Sequence, residues 1–241
     1  NCYEIIIVID DNLGSANIVT KIIDQLNINK IVTIINNCAN MGQAYSRNVG
    51  ATVAKYEYLH FIDQDDFVSE SFYSNFLLDM NMDIFISCPV LYYEDKNRFK
   101  RGVTPIGDLF LRRAKYLSDL WPFYLSNLAY SPGQVIISKE KIVEAGGFPN
   151  LRNRGSDDYG LFYNLAFKYE ATVFYSYSSK FYYRIHAMQN SKKVDISKSV
   201  IEFLGETSQD SGLREKVIYE MRAQGKWDYL EKILYLMFFR R

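Results

Sequence analysis

The run Tyr58-Leu59-His60-Phe61-Ile62 is apolar and aromatic, and it ends abruptly in Asp63-Gln64-Asp65-Asp66. The pattern reads as a buried strand that delivers its carboxyl end into a polar site. In open α/β sheets, ligands bind just outside the carboxyl ends of strands. Three carboxylates within four positions repel one another unless positive charge sits among them. A hard divalent cation, which takes oxygen ligands and leaves positions open for phosphate oxygens, is the natural neutraliser. The competing reading is a solvated acidic turn with one Asp capping the next helix.

The opening of the chain supports a sheet of this kind. Glu4 to Ile9 is a continuous β-branched run, as expected of a strand covered on both faces, and it too ends in acids, Asp10-Asp11. Ile18, Val19, Ile22, Ile23 and Leu26 follow at helical spacing, and Ile31–Ile35 is the next strand. Strand, helix, strand predicts a parallel pairing with a right-handed crossover. Gln43 to Lys55 predicts a helix rich in small residues, able to lie close on the sheet. Further helices are predicted from Ser69-Glu70-Ser71 onward, after Ser138 up to Gly146-Gly147, and after Asp157-Asp158. Strands are predicted at 83–87, 90–93, 134–137, 172–177 and 181–184. Glu94 to Gly107 reads as a charged excursion. Beyond about residue 193, three amphipathic helical segments are predicted (193–204, 211–224 and 227–239).

Charge narrows the partners. Lys+Arg and Asp+Glu are both 28, so no global field favours nucleic acid or an anionic membrane, and phosphate binding must come from a local site. Cys2, Cys38 and Cys88 are scattered without C-x-x-C spacing, which fits a reduced compartment better than a disulfide or zinc scaffold. No stretch reaches the roughly 18 uninterrupted apolar residues of a membrane span. The absence of G-x-G-x-x-G after the first strand disfavours a dinucleotide-binding dehydrogenase.

Four pieces then stand in order: Asp10-Asp11; Asn40-Met41-Gly42 with Arg47-Asn48-Val49-Gly50; Asp63-Gln64-Asp65-Asp66; and Gly146-Gly147-Phe148 followed by Asp157-Asp158. As a set they closely resemble the family 2 glycosyltransferases of the GT-A fold, and Tyr183-Arg184-Ile185-His186 with Asn190-Ser191 resembles the bacterial members. The resemblance implies an α/β, Rossmann-like, mostly parallel central sheet flanked by helices over 1–192, with a helical C-terminal extension over 193–241. It implies an inverting transfer of a sugar from a nucleotide-diphosphate donor, most commonly a UDP-sugar, to a hydroxyl of a saccharide or lipid-linked saccharide. The setting it implies is bacterial surface polysaccharide assembly, in the cytoplasm or peripherally on the inner face of the membrane.

Position by position, the resemblance carries base recognition onto Asp11 with Asp10 beside it. Asp63 and Asp65 take the ribose and diphosphate region, and Arg47 lies near the nucleotide. A divalent metal, Mn2+ or Mg2+, falls to Asp65, Asp66 and His186. Asp158 becomes the general base toward the acceptor, with Asp157 its neighbour. Each assignment has a plainer rival. Asp10 and one of Asp157 and Asp158 can cap helices, Arg47 can be a surface cation, and His186 can be structural. Trp121 to Tyr124 can be core or a sugar platform, and Arg152-Asn153-Arg154 a solvated face or a cover for the diphosphate. Family members begin with one more strand and helix than this chain, which starts Asn1-Cys2-Tyr3. The expectation is therefore an N-terminally incomplete domain with an open edge beside Ile5–Ile9. A catalytically silent GT-A domain used for binding or assembly, and hydrolysis without transfer, are the other readings.

Overall fold

The computed structural model describes residues 3–11, 14–77, 82–101, 129, 131–152, 155–168, 171–187 and 196–208. Strand β1 (Ile5–Ile9) pairs in parallel with β2 (Val32–Asn36), from Ile5 opposite Val32 to Ile9 opposite Asn36. Helix α1 (Ser15–Leu26) makes the crossover, and Asn27 ends it in the left-handed conformation at φ 54°. Helix α2 (Gln43–Val53) lies close on β1. A Cβ built on Gly50 would stand 3.5 Å from Val8, so the small residues do bring helix and strand into contact. Among the described residues β1 pairs only with β2, and Ile5 is exposed.

The second sheet has six strands in the order β3-β7-β5-β8-β4, with β6 on the outer part of β5. They are β3 (Tyr58–His60), β4 (Phe67–Val68), β5 (Ile84–Tyr93), β6 (Arg98–Arg101), β7 (Val135–Ser138) and β8 (Val173–Ile185). The long β5–β8 ladder is parallel and the others are antiparallel. Three expectations are refined here. Strand β3 stops at His60 rather than reaching Asp63. Its partner β7 begins only at Val135, so the ladder ends opposite Ile136, and Phe61 turns edge-on against Phe148. The separate strands expected at 83–87 and 90–93 are one, as are those at 172–177 and 181–184. What looked like breaks is a single irregularity: Ser87 pairs with Ser176, but Cys88 pairs with Lys180. Tyr177, Ser178 and Ser179 bulge out, held by hydrogen bonds among Ser176, Ser178 and Ser179.

The first six residues of strand β5, 84–89, are buried on both faces. Ile84 and Ile86 join Leu59, Val135, Ile137, Phe148, Leu161 and Phe162 in the main core. Phe85 joins Phe72, Phe76, Ile136 and Phe181 in an aromatic core on the other face, under helix α3 (Phe72–Leu77). Ser138 caps α4 (Lys139–Glu144) by accepting from the Lys141 amide. Helix α5 (Asp157–Lys168) follows, and α6 (Ile196–Ser208) packs on it through Phe203 against Tyr159 and Tyr163. The segments expected to be helical at 211–224 and 227–239, Trp121 to Tyr124, Asn153, Arg154, Asn190 and Ser191 lie outside the described residues. Among the described residues no helix is long and apolar enough to cross a membrane. Cys38 and Cys88 are free thiols.

Candidate active site

The carboxyl ends of β1 and β3, the start of α2 and the start of α5 face one another. Asp10, at the end of β1, is a clamp. Its Oδ1 accepts from the Met41 amide and the Asn37 side chain, each at 2.7 Å, and its Oδ2 accepts from the Gly42 amide at 2.7 Å. Burial favours the neutral acid, but these donors outweigh it and hold the carboxyl below its ordinary pKa. They fix the turn into α2, where Gly42 has φ 95°, open only to glycine at low cost. Asp10 is therefore bonded to the Asn37–Gly42 loop and not to α1. Asp11 is the one that meets α1, accepting from the Ser15 hydroxyl.

Arg47 joins the pieces of the motif. One guanidinium nitrogen donates to Asp63 at 2.7 Å and the other to Asp157 at 2.5 Å, and the plane lies 5.5 Å from the centre of the Phe148 ring. Its side chain is only 10 % exposed, so it is not a surface cation. Burial alone would lower its pKa; Asp63 and Asp157, with Asp158 behind them, raise it above the ordinary value and keep the charge in place. The next residue, Asn48, makes a two-point lock on the Gly147-Phe148 turn, donating to the Phe148 carbonyl at 2.8 Å and accepting from the Phe148 amide at 2.9 Å. A Cβ on Gly147, at φ 76°, would stand 2.6 Å from the Asn48 side-chain oxygen. Sequence order alone did not reveal that these two motifs touch.

Asp66 is the electrostatically unusual acid. Burial raises its pKa, and the nearby Asp63 and Asp65 add to the effect. The Arg184 amide, donating at 2.9 Å, and the Ser131 hydroxyl at 3.4 Å pull the other way, leaving it at about 7. A carboxyl in that state is poised to exchange its proton for a cation. Beside it, Asp65 and His186 meet at 2.8 Å. Among the described residues no three His, Cys, Asp or Glu side chains converge closely enough to enclose a metal unaided. The set fits a hard cation that keeps most of its positions for water and substrate phosphate, since Mg2+ is commonly held by one or two carboxylates plus phosphates.

A support not anticipated from the sequence runs to Asp66 from the end of β3. His60 Nε2 bonds the Gly133 carbonyl at 2.7 Å, its Nδ1 meets the Tyr73 hydroxyl at 2.9 Å, and its ring stacks on Phe72. The Gly133 amide donates to the Ser131 hydroxyl at 3.0 Å, and Ser131 donates to Asp66. Burial lowers the His60 pKa to about 4, so the ring is neutral, with its proton on Nε2 toward the carbonyl. The only sequence signal was a histidine inside an apolar run and a Ser-Pro-Gly turn far along the chain.

At the mouth of α5, Asp157 is buried and taken by Arg47, while the Asp158 carboxylate, 8 % exposed, accepts from the Tyr159 amide at 2.8 Å. Both sit in the first helical turn, where the helix dipole favours negative charge. The arrangement thus places Asp63, the first of the acids after β3, with Asp157 and Asp158 at the start of α5 around one arginine.

With that geometry in hand, comparison with known proteins is informative. The family model described as glycosyltransferase like family 2 matches residues 2–234. No curated protein matches the chain. Among solved structures, Staphylococcus aureus TarS 1–349 superposes with a TM-score of 0.60 at 14% identity, over 99% of this chain and 64% of that one. TarS 1–349 in complex with UDP-GlcNAc gives 0.62 at 15%, covering 90% and 60%. The mannosyltransferase PcManGT from Pyrobaculum calidifontis, in complex with GDP-Man and Mn2+, gives 0.61 at 14%, covering 91% and 59%. These neighbours are GT-A glycosyltransferases, and they share the fold of this chain. The chain spans about three fifths of their length.

Proposed function

The chain belongs to glycosyltransferase like family 2, and from that premise we propose that it transfers a sugar from a nucleoside-diphosphate donor to an acceptor hydroxyl with inversion. The observation that carries the reading is the Arg47 bridge. By holding Asp63 and Asp157 at once, it sets the acids after β3 beside the acids of α5. A single displacement needs those two groups side by side, one facing the donor diphosphate and one facing the acceptor.

On the acceptor side Asp158 takes the proton of the attacking hydroxyl. The acceptor oxygen bonds to the anomeric carbon as the bond from that carbon to the diphosphate oxygen breaks, and the electron pair leaves with the diphosphate. Proton removal by a positioned carboxylate contributes on the order of 10²–10⁴-fold. On the donor side Asp65, Asp66 and His186 would hold a divalent cation, Mn2+ or Mg2+, which when bound offsets negative charge on the diphosphate. GT-A neighbours solved with Mn2+ support that choice. Asp66 would give up its proton on holding that cation, and the His60–Gly133–Ser131 support positions its carboxyl group. Asp11 faces the nucleotide base beside the clamped Asp10. Arg47 positions Asp63 and Asp157 by pairing with both. The donor we favour is a UDP-sugar, and the setting bacterial surface polysaccharide synthesis.

Calorimetric titration of UDP with and without Mn2+, beside Asp66→Ala, tests the reading. Metal-dependent binding that is lost in the variant is the expected result. Nucleotide binding indifferent to both metal and Asp66 would refute the donor site and favour a silent GT-A domain.

A further inference from the structure

The face of the second sheet that carries Asp65 and His186 continues well beyond them. Residues alternate faces along a strand, and ring contacts confirm which ones share this face. Phe67, which directly follows Asp66, stacks on Tyr182 at 4.7 Å and meets Tyr92 edge-on. Tyr92 stacks on Phe99 at 4.8 Å, and Phe99 also reaches Tyr182. Arg184 and Glu94 pair at the end nearest His186. At the other end, where Tyr177, Ser178 and Ser179 bulge from β8, an open groove of about 320 Å3 is lined by Cys88, Val90, Phe99, Lys100, Tyr177 and Lys180. From His186 back to Lys180 is six residues of extended chain, about 20 Å at the strand rise.

Three features define what the groove takes. Phe67, Phe99 and Tyr177 expose large ring surfaces, at 41, 54 and 41 %, and aromatic faces are a dry, shaped support for pyranose rings. Lys100 and Lys180 flank the groove, and among the described residues neither ammonium has an ion-pair partner. The groove lining therefore carries two basic side chains and no acid, although the chain as a whole is neutral. The bulge, a device that re-aims side chains next to functional sites, is what brings Tyr177 to the groove.

We propose that this groove binds an anionic saccharide, the distal part of an acceptor chain whose reacting end lies at Asp158 and whose rings run along the Phe67–Tyr182–Tyr92–Phe99 face. The inference deepens the transferase reading and, for the acceptor role, rests on it. The anionic group is a carboxylate or a phosphate carried on the sugar, and binding at the groove needs ring and charge together.

The test is calorimetric titration of the whole chain with tetragalacturonate, with mannose 6-phosphate and with neutral maltotetraose. It is repeated on Lys100→Glu/Lys180→Glu and on Phe99→Ala, each checked by circular dichroism and by UDP–Mn2+ titration. At least one acidic probe should bind more tightly than maltotetraose. Its affinity should fall at least tenfold in the double variant and severalfold in Phe99→Ala, while UDP–Mn2+ binding stays unchanged. Which acidic probe binds identifies the anion as carboxylate or phosphate. Acidic probes that bind no better than the neutral one, or that ignore the charge reversal, overturn the proposal. If UDP–Mn2+ does not bind even the parent chain, the transferase reading fails separately, and lysine-dependent binding of an acidic saccharide would still establish the groove.

Discussion

Asp10 and Asp66 both stand just past the carboxyl end of a strand, in acidic clusters of similar appearance, and the protein uses them in opposite ways. Asp10 accepts from two backbone amides and an asparagine, and its pKa is pulled down. Asp66 has one amide and a long contact to Ser131, is crowded by Asp63 and Asp65, and its pKa is pushed up to about 7. A carboxylate satisfied by the backbone stabilises the fold. One that burial leaves short of partners is available for a cation. The difference lies in the donors that surround each acid, not in its position on the strand.

The strongest way to sharpen that contrast is at the other carboxylates. Asp158→Asn should lower kcat on the order of 10²–10⁴-fold with nucleotide binding intact, as expected for loss of a general base. A variant that loses binding and turnover in parallel would make Asp158 a structural acid like Asp10. Arg47→Met should leave Asp63 and Asp157 without their counter-charge in a largely buried site. Breaking a buried pair from one side costs about 3–5 kcal/mol, read as a fall in urea midpoint at constant m. If Arg47→Met is as stable as the parent, the bridge is not what holds the two halves of the site together.

The titration of Asp66 separates the two acids without mutation. Its folded pKa is raised above the unfolded value, so its contribution to stability is fully present below the unfolded pKa near 4 and is lost as pH rises toward about 7. Asp10 has the opposite sign, stabilising above the unfolded pKa and losing that contribution as pH falls through its depressed folded value. Metal-free melting temperatures of Asp66→Asn against the parent should converge at low pH, with the parent falling behind toward pH 7. Mn2+ should bind the parent more tightly as pH rises over the same range, releasing a proton. An identical pH slope in Asp66→Asn would show that the acid is not buried as the geometry has it.

Most strands, the helices and the acids of the candidate site were legible in the sequence, because β-branched runs, helical spacing and acids at strand ends are local signals. Strands β4 (Phe67–Val68) and β6 (Arg98–Arg101), the latter inside what read as a charged excursion, were not. What each acid does was not, because partners are set at distances the chain does not display. Arg47 finds Asp157 across 110 positions, Asn48 finds Phe148 across 100, and Asp66 finds Arg184 across 118. His60 looked like one more residue of an apolar strand until its two ring nitrogens were placed. The bulge at Tyr177 was invisible for a related reason. It is a mismatch between two strands, and neither carries it alone.

Two smaller effects close the comparison. Asp10→Ala leaves the Met41 and Gly42 amides and the Asn37 side chain seeking water, a loss of about 1–3 kcal/mol, with any fall in turnover explained by the displaced loop. Ser131→Ala removes the 3.4 Å contact to Asp66 and leaves the buried Gly133 amide without its acceptor, a stability loss also of about 1–3 kcal/mol. What separates it from Asp10→Ala is its effect on the cation. Under the proposed cation role of Asp66 the contact would orient a metal ligand, and outer partners of metal ligands shift affinity by about 10–100-fold where their bonds are short. At this length a loss of Mn2+ affinity below about tenfold is expected, with UDP affinity at saturating Mn2+ unchanged. His60→Phe keeps the stack on Phe72 but frees the Gly133 carbonyl, and should give the same signature if the support runs through that turn. A Mn2+ affinity unchanged in both variants would reduce the His60–Ser131 path to packing, and leave Asp66 oriented by the Arg184 amide alone.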